Sequence, residues 1–279
     1  MGEHSTALVL GGGGITGIAW ELGILAGLAR EGLDLTDADV VVGTSAGSVV
    51  GAQITSGIPL DELYADQLEP ADHEIGGSMS RLAMLRLVPP YLLPGSGRDK
   101  LARVGRVAQA AHAPGSADRE GVIRSRLPVA SWPERDLRVT AVDAESGEFT
   151  VFTAASGVDL VAAVAASCAV PTVWPPVEID GHLYIDGGMR STANVDRARG
   201  ADRVVVLAPL PRSVSKRTSI RAQLEKIAPR EWSVITPDSE ALAAFGRNLL
   251  DPAKRGVAAE AGMRQSAGLV DELRHVWRG

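Results

Sequence analysis

Asp39-Val40-Val41-Val42-Gly43-Thr44-Ser45-Ala46-Gly47-Ser48 is the stretch on which the reading of the fold turns. A β-branched apolar run, the composition of a buried strand, stops at a glycine, and a serine follows between two glycines. Residues 49–56 then continue as a helix-competent segment. Strand, sharp turn and helix, with G-x-S-x-G across the turn, describe an elbow that lifts a serine hydroxyl above a sheet end. Gly43 and Gly47 supply the small residues that so tight a backbone needs on either side of Ser45. Alone, the pentapeptide fits equally a glycine-rich strand-to-helix loop with an incidental serine. The rest of the chain has to separate the two.

Upstream, Thr6-Ala7-Leu8-Val9-Leu10 reads as a buried strand that runs into Gly11-Gly12-Gly13-Gly14-Ile15-Thr16-Gly17. Ile15, Ile18, Ala19, Leu22, Leu25 and Ala29 recur at helical spacing, and Gly32 is a stop signal. The glycines therefore lie at a strand end and a helix N-terminus, where outward N–H groups can approach an anion closely. Gly12, Gly14 and Gly17 also satisfy G-x-G-x-x-G, which raises a dinucleotide-binding reading. That motif expects an acid ending the second strand. Here Asp34, Asp37 and Asp39 precede the strand, and Gly43-Thr44-Ser45 ends it, so an anion-stabilising loop beside Ser45 fits better.

Downstream, residues 59–127 are the least regular. Pro89-Pro90-Tyr91-Leu92-Leu93-Pro94-Gly95 reads as a proline-rich apolar loop, 101–111 as a helix, and Pro114-Gly115-Ser116 as a break. Met79, Leu82, Met84, Leu85, Leu87 and Val88 form an apolar cluster, which suits helix packing or a cap that lines an acyl pocket or touches lipid. Residues 137–142 and 148–153 read as a hairpin, and 160–170 as a very apolar core helix ending before Pro171, with Cys168 buried inside it. Asp180-Gly181 marks a second hairpin whose return strand delivers Asp186-Gly187-Gly188 at its end. Residues 203–208 and 232–236 are further strands, and 213–221 a solvated segment. Asp238-Ser239 caps a helix over 240–250, and Asp251-Pro252 opens another running to about Trp277. This alternation predicts an α/β fold, three-layer α/β/α with a mainly parallel central sheet.

The chain has 279 residues, 45% hydrophobic and 22% charged, enough for one large domain. Its formal charge of −6 argues against nucleic acid as the main partner but leaves room for a local basic patch at a membrane surface. Cys168 is the single cysteine, so neither an intrachain disulfide nor a cysteine metal cluster is expected. The first strand begins almost at once, with no leader pattern, and no apolar run reaches 18 residues; a cytoplasmic location, peripheral to the membrane at most, is expected.

A serine hydroxyl is a poor nucleophile until a base takes its proton. Of His4, His73, His112, His182 and His275, only His275 follows Asp186, and it sits on the expected terminal helix. His182 lies four residues before Asp186 in a hairpin. Neither resembles a loop histidine returned to an elbow, and Asp186 is the better base. The amides of Gly12, Gly13 and Gly14 are the expected oxyanion donors.

Taken together, Gly12 to Gly17, Gly43 to Gly47 and Asp186-Gly187-Gly188 resemble the three signatures of the patatin-like phospholipase family, in that family's order. The stretch 166–176 resembles it too, and the similarity spans roughly 6–208. The resemblance implies a Ser45–Asp186 dyad that hydrolyses lipid acyl esters, without a catalytic histidine, metal or other cofactor. It implies a catalytic core over 6–208 with a cap at about 59–127, and strand and helices over 209–279 completing the same domain. The partner is a lipid or ester substrate, with transient membrane-surface contact; the oligomeric state is left open. Two departures stand out: Thr16 where many members carry Lys or Arg, and Trp20 where many carry His. An acyltransferase with the same dyad, a nucleotide-binding protein and a catalytically silent interaction protein stay as alternatives.

Overall fold

The computed structural model describes residues 5–70, 77, 85–111, 119–213 and 215–278. His4, His73, His112, Met79, Leu82, Met84 and the Pro114-Gly115-Ser116 break lie outside them. Among these residues eight strands form one sheet: β1 (Thr6–Leu10), β2 (Val40–Thr44), β3 (Asp136–Asp143), β4 (Phe149–Phe152), β5 (Val177–Ile179), β6 (His182–Asp186), β7 (Arg203–Leu207) and β8 (Glu231–Ile235). Their order is β5-β6-β3-β2-β1-β7-β8, with β4 also on β3. β1, β2, β3, β7 and β8 run parallel, whereas β4, β5 and β6 join by antiparallel pairing.

β1, β2 and β7 are largely apolar because both faces of the sheet are covered there. Along β1, Leu8 and Leu10 enter one core with Trp20, Leu22 and Val49, while Ala7 and Val9 enter another with Val204, Ile220 and Leu224. That alternation produces the α/β/α layering. On the first face α1 (Gly14–Arg30) lies against the Arg255–Ser266 helix. A Cβ on Gly23 would fall 2.2 Å from the Ala259 carbonyl oxygen, and one on Gly262 2.4 Å from that of Trp20, so the two backbones touch.

The principal elements stand where expected, and the differences have local causes. Pro89–Leu92 is a short helical turn rather than loop, since proline suits a first helical turn whose N–H groups have no acceptor. The apolar helix ends at Ser167 (Leu160–Ser167), three residues early, and Cys168 caps it, buried. The 213–221 segment holds a turn at Lys216–Thr218 and then the start of helix Ile220–Ile227, whose Ile220 and Leu224 reach the second core. The helix after Asp238 stops at Phe245, where Gly246 takes a φ of 66°. The long terminal helix is split into Arg255–Ser266 and Val270–Arg278. The first packs on α1, the second on β7 and β8, and one straight rod cannot serve both surfaces. No helix among the described residues is long and apolar enough to cross a membrane.

Candidate active site

At the end of β2 the chain turns through Ser45 (φ 53°, ψ −119°) into α2 (Ala46–Ile54). A non-glycine residue there costs about 1–3 kcal/mol and persists only where neighbours fix it. They do: the Ser45 amide donates to Ser167 Oγ at 2.9 Å, the Ser48 hydroxyl donates to the Ser45 carbonyl at 2.6 Å, and the Gly47 amide donates to the Gly11 carbonyl at 3.0 Å. A Cβ on Gly43 would lie 2.5 Å from Ser48 Cα, and one on Gly47 2.1 Å from the Leu10 oxygen. Close backbone approach explains both glycines.

The glycine loop leads past this turn. A Cβ added to Gly12 would sit 3.5 Å from that of Ser45. The Gly12 amide, expected as an oxyanion donor, is already paired with the Thr192 carbonyl at 2.7 Å. Further on, the Thr16 amide donates to the Leu249 carbonyl at 3.1 Å. Gly13 and Gly14 lie between these two anchors at the mouth of α1, where N–H groups have no intrahelical acceptor. Pro209 crowds Gly13, and Leu249 and Leu250 crowd Gly14, so the loop is flanked by chain from the last third of the sequence. Gly17 faces Pro209 and Ala46.

Strand register brings Asp186 to the same place. On β3, Thr140 pairs with both Thr44 and Val151, and Ala141 pairs with both Asp186 and Thr150. A strand has two edges, so β4 holds one, and β2 and β6 share the other. They run toward each other along it. Thr44 opposite Thr140 and Asp186 opposite Ala141 occupy consecutive positions, the two strand ends meeting head to head. The residues after α-helix Leu160–Ser167 clasp both ends, since the Asp186 amide donates to the Ala169 carbonyl at 3.0 Å, two residues from the Ser167 that holds Ser45. Asp186 is buried, and its Oδ1 accepts the Gly188 amide at 2.7 Å. A Cβ on Gly187 would lie 2.5 Å from the Thr140 oxygen, and one on Gly188 2.9 Å from Asp186 Oδ1, so this pair is also tied to close approach.

Asn194, fully buried with φ 50°, joins the pieces. Its amide nitrogen lies 3.1 Å from Thr44 Oγ1, 3.3 Å from Thr140 Oγ1, 3.2 Å from the Gly187 carbonyl and 3.0 Å from that of Ser191. Arg190 donates to Asn194 Oδ1 at 2.7 Å, grips both oxygens of Asp196 at 2.8 and 2.7 Å, and stacks on Phe149. Burial works against ionised Asp196, but its bonds from Arg190 and Arg197 prevail and hold it below the usual carboxylate range.

Two further groups shape the electrostatics. Glu21, wholly buried in α1, accepts the Gly11 amide on Oε1 at 2.9 Å, while Oε2 has no hydrogen-bond partner. Burial pushes its carboxyl well above the ordinary range, with the Gly11 bond opposing weakly. The Tyr91 hydroxyl donates to the Met189 carbonyl at 2.8 Å; burial first, and the nearby Asp186 charge second, push it up as well.

The two histidines among the described residues, His182 and His275, stand apart from this cluster. His182 Nδ1 is 3.1 Å from Asp143 Oδ2 with its ring largely exposed, and His275 is exposed on the terminal helix. Among the described residues, no three His, Cys, Asp or Glu side chains are grouped to hold a metal ion. Trp20 fills core, its indole N–H donating to Gln265 at 3.0 Å and its ring set edge-on to Phe245. Ser167, Asn194 and Glu21 were not singled out from the sequence. Asn194 follows the Asp-Gly-Gly by a few residues in a short polar stretch, with no spacing to mark it as buried.

Solved structures to which the chain shows similarity include VipD from Legionella pneumophila (14% identity, TM-score 0.49, 97% of this chain and 67% of that one). They also include the type III effector ExoU (16% identity, TM-score 0.45, 96% and 53%) and the ExoU–SpcU complex of Pseudomonas aeruginosa (20% identity, TM-score 0.42, 99% and 52%). The chain thus spans about half the length of the ExoU chains. A family model described as patatin-like phospholipase matches residues 8–199, which contain the glycine loop, the serine elbow and the Asp-Gly-Gly strand end together. The chain belongs to the patatin-like phospholipase family.

Proposed function

We propose that the protein is a serine lipid acyl hydrolase that cleaves carboxylic esters of phospholipids or acylglycerols through Ser45 and Asp186. The observation that supports this reading is the head-to-head meeting of β2 and β6 on one edge of β3, where the strand leading into Ser45 and the strand ending in buried Asp186 hold consecutive positions. In this reading Asp186 takes the Ser45 proton as Oγ attacks the ester carbonyl, and the tetrahedral oxyanion rests on amides at the mouth of α1. Gly13 and Gly14 supply those donors, whereas Gly12 supplies room beside Ser45, its own N–H being held by Thr192. Collapse breaks the bond to the alcohol, which leaves with the proton from Asp186. Water then attacks the acyl-enzyme, gives its proton to Asp186, and fatty acid departs as Ser45 is restored.

The helix mouth favours negative charge as well, adding to the oxyanion's stabilisation. Thr16 in place of a basic residue leaves that task to backbone groups. The 209–279 segment belongs to the same unit in this reading, because Pro209, Leu249 and Leu250 wall the glycine loop. Ser45→Ala should lower fatty-acid release from phospholipid, acylglycerol and p-nitrophenyl esters by on the order of 10⁴-fold or more, with the unfolding midpoint unchanged. Asp186→Asn should do nearly the same, and fluorophosphonate should label Ser45 alone. Hydrolysis that survived Ser45→Ala would end the proposal.

A further inference from the structure

Above the Asp186 strand end lies a stretch whose two sides differ. Leu87 and Tyr91 turn inward and pack against the cluster of Leu101, Val104, Ala108, Val142 and Ile185. Leu85, Val88, Leu92 and Leu93 turn outward and are 65%, 48%, 77% and 53% exposed. Four large, exposed apolar side chains within nine residues concentrate apolar surface of the kind that marks a contact surface. The patch also has a charge. Residues 85–111 carry Arg86, Arg98, Lys100, Arg103 and Arg106 against Asp99, on a chain whose formal charge is −6.

Geometry keeps cations beside the apolar tip. Arg103 donates to the Leu93 and Pro94 carbonyls at 3.4 and 2.6 Å, which seats its guanidinium at the base of the Leu92–Leu93 projection. The Ser96–Asp99 capping box fixes the start of the Gly97–Ala110 helix, and Lys100, Arg103 and Arg106 follow at three-residue spacing, so each neighbours the next along it. Arg98 meets Glu148 at 3.2 Å. Apolar residues flanked by cations, on an acidic molecule, complement an anionic lipid surface, which offers both an apolar interior and a negative boundary. Tyr91 links this face to the catalytic centre, its hydroxyl on the Met189 carbonyl three residues beyond Asp186.

We infer that the face formed by Leu85, Val88, Leu92 and Leu93, with Arg86, Lys100, Arg103 and Arg106 around it, docks on bilayers containing anionic phospholipid and sets Ser45 and Asp186 at the lipid boundary. This rests on the acyl-hydrolase reading for its purpose but not for its test. The apolar tip enters the headgroup region and the cations meet phosphate, each cation strengthening attachment by roughly fivefold at low salt.

The full chain carrying Ser45→Ala, so that lipid is not consumed, is sedimented with vesicles of phosphatidylcholine alone or mixed with phosphatidylglycerol. Expected are at least roughly tenfold tighter binding to the mixed vesicles and its decline with added salt. Leu92→Ser with Leu93→Ser should weaken binding to the mixed vesicles about tenfold. Arg86→Glu with Arg106→Glu should remove the preference for phosphatidylglycerol. The same changes in the chain with Ser45 intact should leave hydrolysis of a soluble p-nitrophenyl ester unaltered. Equal binding to both vesicles, binding indifferent to these four positions, or a Leu92- and Leu93-dependent dimer in sedimentation velocity would each overturn the inference. Loss of ester hydrolysis in the intact parent would instead overturn the catalytic reading, with the vesicle experiment undisturbed.

Discussion

Around Ser45 and along the outer turn at 85–93, the chain uses side chains in opposite ways. At the strand ends positions are defined by what cannot be added: Gly43, Gly47, Gly187 and Gly188 each face an atom closer than 3 Å to where a Cβ would stand. Polar groups there are paired inward, through Ser167, Asn194 and the Thr44–Thr140 pair. On the outer turn Leu85, Val88, Leu92 and Leu93 are large, apolar and exposed, while Leu87, Pro90 and Tyr91 turn inward. A site that positions reacting atoms tolerates no slack, whereas a surface that meets a fluid partner needs area and charge but no fixed register. Substitutions should therefore weigh very differently in the two places.

The heaviest expected loss of stability is at Gly47→Ala. Its methyl would fall 2.1 Å from the Leu10 oxygen, a backbone atom that cannot swing aside, and urea unfolding should show destabilisation of about 3 kcal/mol or more. Next comes Asn194→Ala, which strips the shared donor from Thr44, Thr140 and Gly187; about 2 kcal/mol of stability should go, together with most of kcat. Asn194→Asp, of the same shape, should not rescue it, because a carboxylate cannot donate to those oxygens.

Glu21→Gln should act with the other sign. Because burial raises the folded-state Glu21 carboxyl above its unfolded value, the contribution of its protonated form is complete below the usual glutamate range and is lost as pH rises through the raised value. Removing the charge should make the protein more stable at pH values above the usual glutamate range and flatten its stability profile there. A variant as pH-sensitive as the parent would show that Glu21 ionises freely. The smallest change belongs to the outer face, where Leu92→Ser should shift urea-unfolding stability by less than about 0.5 kcal/mol. If it cost as much as Asn194→Ala, the contrast between the regions would collapse.

How much of this was legible in the sequence follows the same division. The strand runs at 6–10, 40–44 and 203–207, the elbow glycines and the Asp180-Gly181 hairpin carry short-range signals, since each is set by local sterics or by alternation. Three-layer architecture followed from them. Three kinds of information were hidden. Helix ends at Ser167 and Phe245 depend on where the chain must turn to meet distant partners, and apolar content alone overran them. The Gly12 amide looked available because its acceptor, Thr192, lies 180 residues away. The burial of Glu21 within α1, and of Asn194 just before the Val195–Ala198 turn, leaves no periodic trace, as a single polar residue reads the same whether buried or exposed.

The head-to-head meeting on β3 also governs the order of assembly. β2 and β6 are separated by more than a hundred residues, and they meet only once both have paired with β3, which lies between them in sequence. Such non-local pairings close late, after helices and local hairpins have formed. During refolding, helical signal should return first, and the proposed Ser45–Asp186 site only with the slower of the two dockings.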